Sequence, residues 1–368
     1  MASSTQDTPG SLDSENGRPV VFIPVSGPSG AGEYYRCAAI AEALRTISPN
    51  LPVHFIISAE ASIHQDRRFH YHPIPGSPTH CSIQVIDYLR HTHPAAVVFD
   101  SSIRTQQLAA AKSLGAAVIA VVSRSSKRRR LLQPLKLRHI DSAWVIAAPR
   151  NHRQRRGIER LLTLGWGGRL SFGGTVLSPP CDKEFPKELA YDTYALVAPG
   201  GGGGLIDGER ADEKFAEIAW RVSREGISVL FVPGPLSQVA LPAASRLTAI
   251  RSLSPGGLMA AMSHARVCIV GGGSILGQGL ALGKPCIPLP AGGRDQPERI
   301  AQLTHRGLIQ ELEDYSAAAV SAEVIRLWRD EESRTNLSCR AKSSEYTDSA
   351  AHIARDILSL SSANSVGR

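Results

Sequence analysis

Short apolar runs, each followed by a stretch with helical spacing, constrain the fold of this chain more than any other feature of it. PVVFIPV (19–25), PVHFIIS (52–58), AAVVFD (95–100), AAVIAVVS (116–123) and SAWVIAAP (142–149) are continuously hydrophobic rather than alternating. A strand that is apolar on both faces belongs in a parallel sheet covered by helices on both sides. The pattern lapses across 178–193, where three prolines and mixed charges fall together, and then restarts. TYALVAP (193–199), SVLFVPG (228–234), LTAIRSL (247–253), ARVCIVGG (265–272) and KPCIPLPAG (284–292) are the second set of strand candidates. The expected fold class is therefore α/β, with two doubly wound domains at 18–177 and 194–330 joined by a linker at 178–193. A disordered tail is expected at 1–17, and helices ending in a polar tail at 331–368.

The 368 residues suffice for two such domains, and 42% hydrophobic with 20% charged residues is a globular balance. No uncharged apolar run reaches the roughly 18 residues of a membrane span. The first residues, MASSTQDTPGSLDSENGRP, have neither the basic start nor the apolar centre of a secretory signal. Six cysteines (37, 81, 181, 268, 286 and 339) are scattered without a C-x-x-C pair. Reduced thiols, no zinc site and a cytoplasmic location are the corresponding expectations. Charge is concentrated: residues 124–160 hold twelve Lys and Arg against only Asp141 and Glu159, in a chain whose net charge is +8. That segment reads either as solvated basic helices or as a surface for anions, including an anionic membrane or a phosphate-bearing acceptor. No aromatic-interleaved motif accompanies the charges, so nucleic acid is not expected as a partner.

In doubly wound sheets ligands bind beyond the carboxyl ends of the strands, and three turns at such ends carry candidate chemistry. In SGPSGAGEYYRCAAIAEAL (26–44), Gly27, Gly30 and Gly32 make a tight turn, Glu33 stands at the mouth of a helix and Arg36 follows one turn later. Glu33 fits either a helix-end charge or a general base. In ALVAPGGGGGLIDGE (195–209), Gly200, Gly201, Gly202, Gly203 and Gly204 lie between a strand and a helix expected from about Asp212. Bare backbone N–H groups there suit a diphosphate. The run lacks the Gly-Lys-Ser/Thr ending of a P-loop and is not a selective G-x-G-x-x-G match. In VCIVGGGSILGQGLALGKPCIPLPAGGRDQPERIAQL (267–303), Gly271 to Gly273 end a strand, Ser274 opens a helix, and a second strand leads into Asp295 and Gln296. Such a polar pair can bind sugar hydroxyls, and Asp295 can equally cap the next helix.

The stretch from Gly271 to Leu303 resembles the C-terminal signature of GT-B nucleotide-sugar glycosyltransferases, especially the MurG-like group. Gly273, Ser274, Gln278, Gly283, Pro285, Asp295 and Gln296 carry that resemblance, with Gln278 standing where the group places a ribose-binding Glu. Gly30-Ala31-Gly32-Glu33-Tyr34-Tyr35-Arg36-Cys37 is similar to the G-x-G-H-x-x-R-C loop of PseG-type nucleotide-sugar hydrolases, with Glu33 replacing the family's His. VVFDSS (97–102), which contains Asp100, also resembles a site stretch of that group.

The resemblance implies two Rossmann-like domains facing a cleft, with the acceptor in the first and a UDP- or dTDP-sugar donor in the second. It implies an inverting, metal-independent transfer of a hexosyl or N-acetylhexosaminyl group to an acceptor hydroxyl or amine, with no cofactor. Glu33 would be the base, with Asp100 as the second candidate or its orienting neighbour. The Gly200–Gly204 run and the Gly271–Ser274 turn, with Gly272 and Gly273, would hold phosphates, and Gly32 and Arg36 would also bind the donor. The base would lie near Arg251 and Leu253, the ribose against Gln278, and the sugar against Asp295 and Gln296. The acceptor would be a small molecule or lipid-linked. A nucleotide-sugar hydrolase and a non-catalytic sugar-nucleotide-binding subunit are the alternatives.

Overall fold

The computed structural model describes residues 17–25, 32–61, 63–100, 103–123, 125–146, 157–206 and 208–366. The first domain is a seven-stranded sheet of β1 (Val20–Pro24), β2 (Val53–Ser58), β3 (His70–Ile74), β4 (Ala96–Asp100), β5 (Ala117–Val122), β6 (Ser142–Val145) and β7 (Arg169–Phe172). Its spatial order is β3-β2-β1-β4-β5-β6-β7, and every pairing is parallel. The chain winds outward from β1 in one direction and from β4 in the other, so the switch point lies between these two strands. The β1 to β4 register sets Pro24 beside Asp100 there.

The second domain contains β8 (Tyr194–Ala198), a short antiparallel hairpin of β9 (Leu205–Ile206) and β10 (Glu209–Arg210), then β11 (Ser228–Phe231), β12 (Leu247–Ala249), β13 (Val267–Gly271) and β14 (Cys286–Leu289). Its parallel sheet runs β12-β11-β8-β13-β14, with the switch point between β8 and β13. Residues 199–204 and 272–274, which follow those two strands, therefore open on the crevice where ligands of such sheets bind.

Two strands of the large parallel sheets carry no signal in the apolar pattern. β3 (HYHPI) is an edge strand with one fully buried side chain, Ile74, and its Pro73 is tolerated because an edge leaves one row of N–H groups unused. β7 (RLSF) is the opposite edge and is only half buried.

The C-terminal helix, Ala350–Val366, departs most from expectation. It does not extend the second domain but packs on the first, beside the helix Gly32–Ile47. Ala350, Ile353, Ala354 and Ile357 enter the core formed by Val20, Phe22, Val98, Ile119 and Val121. The reason is coverage: the helices Ser82–Thr92 and Thr105–Ser113 occupy the other face of the sheet, and one helix cannot shield all of this one. Asp356 fixes the docking by accepting hydrogen bonds from Ser142 Oγ (2.6 Å) and Trp144 Nε1 (2.7 Å) and pairing with Arg169.

The chain thus crosses between the domains twice, at 173–178 and at 343–349. Thr175 N donates to Thr347 O and Ser349 N to Thr175 O, both at 2.9 Å, so the two passages form a short parallel ladder. A Cβ on Gly174 would lie 2.2 Å from Thr347 O, so the passages touch backbone to backbone. Most of the expected linker is pinned to the second domain. Cys181 N donates to Gly256 O (3.0 Å), Glu184 accepts from Ser254 N (2.7 Å), and Phe185 packs against Tyr191, Tyr194 and His264.

Among the described residues no helix is long and apolar enough to cross a membrane.

Candidate functional site

The carboxyl ends of both sheets face one cavity of about 360 Å³ between the domains, within the range of a small-molecule site. The first domain contributes Gly32, Glu33, Tyr35 and Arg36 from the start of the helix Gly32–Ile47. The two crossings supply the floor through Thr175, Val176 and Tyr346. Ser123 and Ile146, beyond β5 and β6, and Ser178 of the first crossing also line it, and the rest comes from the second domain.

Glu33 is half-buried in the first helical turn and faces the cavity. Arg36, one turn on, is 9% exposed and also reaches the cavity wall. Behind it lies Asp100, fully buried at the end of β4 and outside the cavity lining. Arg36 Nε donates to Asp100 Oδ2 at 2.5 Å and Nη2 to Oδ1 at 2.8 Å. Burial alone would lower the guanidinium's pKa, but the Asp100 carboxylate more than offsets this and holds it above its ordinary value. Asp100 therefore holds Arg36 in place and does not itself face a ligand.

The glycine run divides in two. Gly200 (φ +104°) and Gly201 line the cavity. Gly202, Gly203 and Gly204 lie outside its lining, packed against neighbouring loops. A Cβ on Gly202 would sit 2.5 Å from Pro233 O, and one on Gly204 would sit 2.5 Å from Ala291 O. The β9–β10 hairpin separates the run from the helix Ala211–Arg224, whose start is filled from within the chain by Asp212. Fully buried Asp212 accepts from Arg210 Nη2 (2.7 Å), Ser237 Oγ (2.6 Å) and Gln238 N (3.1 Å). Burial would raise its carboxyl, yet these hydrogen bonds outweigh burial and bring it down to about 2. They anchor the 233–239 loop, of which Gly234, Pro235 and Leu236 line the cavity.

Gly273 and Ser274 also open on the cavity. Ser274 is the first residue of the helix Ser274–Ala281, which Gly273 begins without a side-chain cap. Its first N–H groups have no intrahelical acceptor and are suited to an anion. Gly272 is buried outside the lining, and its carbonyl accepts from Arg299 Nη1 at 2.9 Å. Gln278 reaches the cavity floor and donates Nε2 to Val176 O at 3.3 Å.

Asp295 lines the cavity at the N-cap position of the helix Gln296–His305 but makes no capping hydrogen bond. Its Oδ2 accepts instead from Arg299 Nη2 at 2.6 Å. Gln296 also lines the cavity, 9% exposed. Leu253 lines it too, whereas Arg251 turns away and donates to the carbonyls of Val239 (2.7 Å) and Ser237 (3.3 Å).

Arg299 is the charged lining residue that sequence reasoning missed. It lies four residues beyond Asp295, the spacing at which two helical side chains meet, and that spacing was the available signal.

Part of the basic segment 124–160 is internal. Arg128 is buried, paired with Glu159 (2.5 Å) and stacked 4.9 Å over Phe172. Arg129, Arg130, Arg138 and Arg160 are exposed. Arg124, Arg150, Arg153, Arg155 and Arg156 lie outside the described residues, as do Gly27 and Gly30 of the first turn. Among the described residues no group of three or more His, Cys, Asp or Glu is arranged to hold a metal ion.

No protein-family model matches the sequence, and no curated protein does either. Solved structures match the fold over nearly the whole chain. UGT2 of Phytolacca americana, solved with UDP-2-fluoro-glucose and pterostilbene, is 12% identical with a TM-score of 0.64, covering 94% of this chain and 100% of its own. The spinosyn forosaminyltransferase SpnP is 15% identical with a TM-score of 0.61, at 94% and 99% coverage. MurG of Acinetobacter baumannii is 15% identical with a TM-score of 0.56, at 93% and 99% coverage. The likeness runs over nearly the whole of each chain and shows a shared fold, GT-B, which in this chain is two parallel-sheet domains with their switch points turned to one cavity.

Proposed function

We propose that the protein transfers a sugar from a nucleotide diphosphate-sugar to an acceptor hydroxyl or amine. The observation that carries this reading is a single cleft in which Glu33, from the first domain, shares a cavity with two turns rich in backbone donors, Gly200–Gly201 and Gly273–Ser274. The donor lies against the second domain. N–H groups of those turns take up the negative charge of the departing diphosphate, which needs no metal ion in this scheme. The ribose is held by the Gln278 carbonyl oxygen, whose amide nitrogen is already engaged with Val176, and the sugar by Asp295 and Gln296. The base sits near Leu253. Glu33 removes the acceptor proton as the acceptor attacks the anomeric carbon from the side opposite the breaking bond to the diphosphate, inverting that centre. Arg36, fixed by Asp100, keeps a positive charge beside Glu33. UDP- and dTDP-hexoses or N-acetylhexosamines are the donors, and the exposed Arg129, Arg130, Arg138 and Arg160 favour an acceptor that is anionic or presented at an anionic membrane.

The test is diphosphate release from UDP-, dTDP- and GDP-sugars with and without an acceptor pool. Release that requires the acceptor supports transfer. Equal release without it makes the protein a hydrolase, and donor binding without turnover makes it a binding subunit. Glu33→Gln is expected to keep donor affinity while turnover falls about a hundredfold or more; full activity in that variant removes Glu33 from the mechanism.

A further inference from the structure

Arg299 is the cavity residue whose contacts no part of the proposed chemistry uses. It projects from the helix Gln296–His305 and splits its guanidinium between two elements, giving Nη1 to the Gly272 carbonyl (2.9 Å) and Nη2 to Asp295 (2.6 Å). Gly272 belongs to the turn that leads into Ser274, and Asp295 begins the helix on which Arg299 itself lies. The helix presses so closely on that turn that a Cβ on Gly272 would come within 2.9 Å of Ile300 Cδ1. Arg299 thus joins the turn facing the phosphates to the carboxylate facing the sugar.

Asp295 needs such a partner. It is 42% exposed, against 19% for Arg299, and its carboxylate makes no bond to the helix end it begins. Without Arg299 it has several staggered rotamers open to it, and a donor must then freeze one of them at an entropic cost. The planar, two-pronged guanidinium suits the task, because it can meet a carboxylate and a carbonyl at once.

We propose that Arg299 is a positioning residue for the sugar end of the donor: it presets the Asp295 carboxylate and fixes its distance from the phosphate-facing turn, so that the protein discriminates a nucleotide-sugar from the free nucleotide. This rests on the donor reading given above. Arg299 acts through Asp295, and its effect is confined to ligands that carry the sugar.

The experiment measures calorimetric affinities for UDP-glucose, dTDP-glucose, UDP and dTDP in the full-length protein and in R299M, R299K, D295N and R299M/D295N, with Tm recorded for each. In R299M, affinity for the sugar-bearing ligand is expected to fall about tenfold, with that for the free nucleotide changing by no more than about twofold. R299K, which supplies a charge without the fork, is expected to recover part of the loss. The double variant is expected to bind no worse than D295N, because Arg299 acts on the sugar only through Asp295. A parallel loss of nucleotide and nucleotide-sugar, at a Tm equal to wild type, overturns the inference alone, as does an additive double variant. A wild-type protein that binds none of the four ligands overturns the donor reading and the inference together.

Discussion

Arg36 grips Asp100 through two hydrogen bonds, 2.5 and 2.8 Å long, at the switch point of the first sheet. Both partners are shielded from water, at 8% and 0% side-chain exposure. Removing one charge from a buried pair strands the other, at a cost of about 3 kcal/mol or more. Asp100→Asn is expected to lower stability by that order and to reduce turnover through loss of Arg36's position. Chemical denaturation and steady-state rates, measured together, check it. A variant with native stability and native rate would show that the pair serves neither purpose.

The five consecutive glycines are expected to respond unequally to alanine. Gly200 and Gly202 have positive φ, and added carbons on Gly202 and Gly204 would meet backbone oxygens. Gly201 and Gly203 would meet only Leu236, at 3.5 to 3.9 Å. Alanine at 200, 202 or 204 should destabilise by about 1–2 kcal/mol or more, while 203 should tolerate it. Alanine at 201 should leave Tm unchanged and affect donor affinity only. Five variants followed by thermal melting and donor titration decide the pattern, and equal Tm values across the set would refute it.

Asp212→Ala leaves the Ser237 hydroxyl and the N–H of Gln238 without their acceptor, which costs about 1–3 kcal/mol. The freed 233–239 loop should raise the donor KM more than it lowers kcat. The charge contributes stability above the carboxyl's ordinary value of 3.8, and that contribution is lost as pH falls from 3.8 toward about 2. Urea midpoints between pH 5 and 2.5 should therefore converge for wild type and variant.

His54 supplies a second pH dependence, at higher pH. It sits between β2 and the helix Ser82–Thr92, with Nδ1 3.0 Å from the Tyr88 hydroxyl and its ring 4.8 Å from that of His70. Burial first, and His70 second, lower its pKa from 6.5 to about 4. The unfolded chain then binds a proton that the folded chain refuses, so stability falls as pH drops from 6.5 to about 4 and levels off below. His54→Gln should flatten that limb of a urea-midpoint profile. An unchanged slope would assign the dependence to other groups.

Much of this architecture can be read from the residues, and the exceptions share a cause. Every strand with a continuous apolar run was visible, because burial on both faces leaves no polar positions. The edge strands His70–Ile74 and Arg169–Phe172 were not, since they are half solvated and their polar residues dilute the signal. The two turns that reach the cavity at Gly200–Gly201 and Gly273–Ser274 were visible because a glycine cluster after a strand has a backbone reason to exist. The division of the run at Gly202 was invisible, since it depends on loops from 233 and 291 that approach only in the fold. Asp100 stood out as a carboxylate at a strand end, but its burial and its pairing with Arg36 did not. The destination of the C-terminal helix was equally hidden: Ile353 and Ile357 declare an apolar face without saying which sheet lacks a cover.

That helix alters how the molecule can be taken apart. Because the peptide returns to the first sheet after completing the second, the second domain is an insertion within the first. A hybrid made by joining two proteins once, near 178–193, would leave the recipient sheet roofed by a foreign helix, with Ser142, Trp144 and Arg169 facing a stranger in place of Asp356. Exchange of the second domain in this scaffold requires two splice points, one on each strand of the ladder formed by Thr175, Thr347 and Ser349.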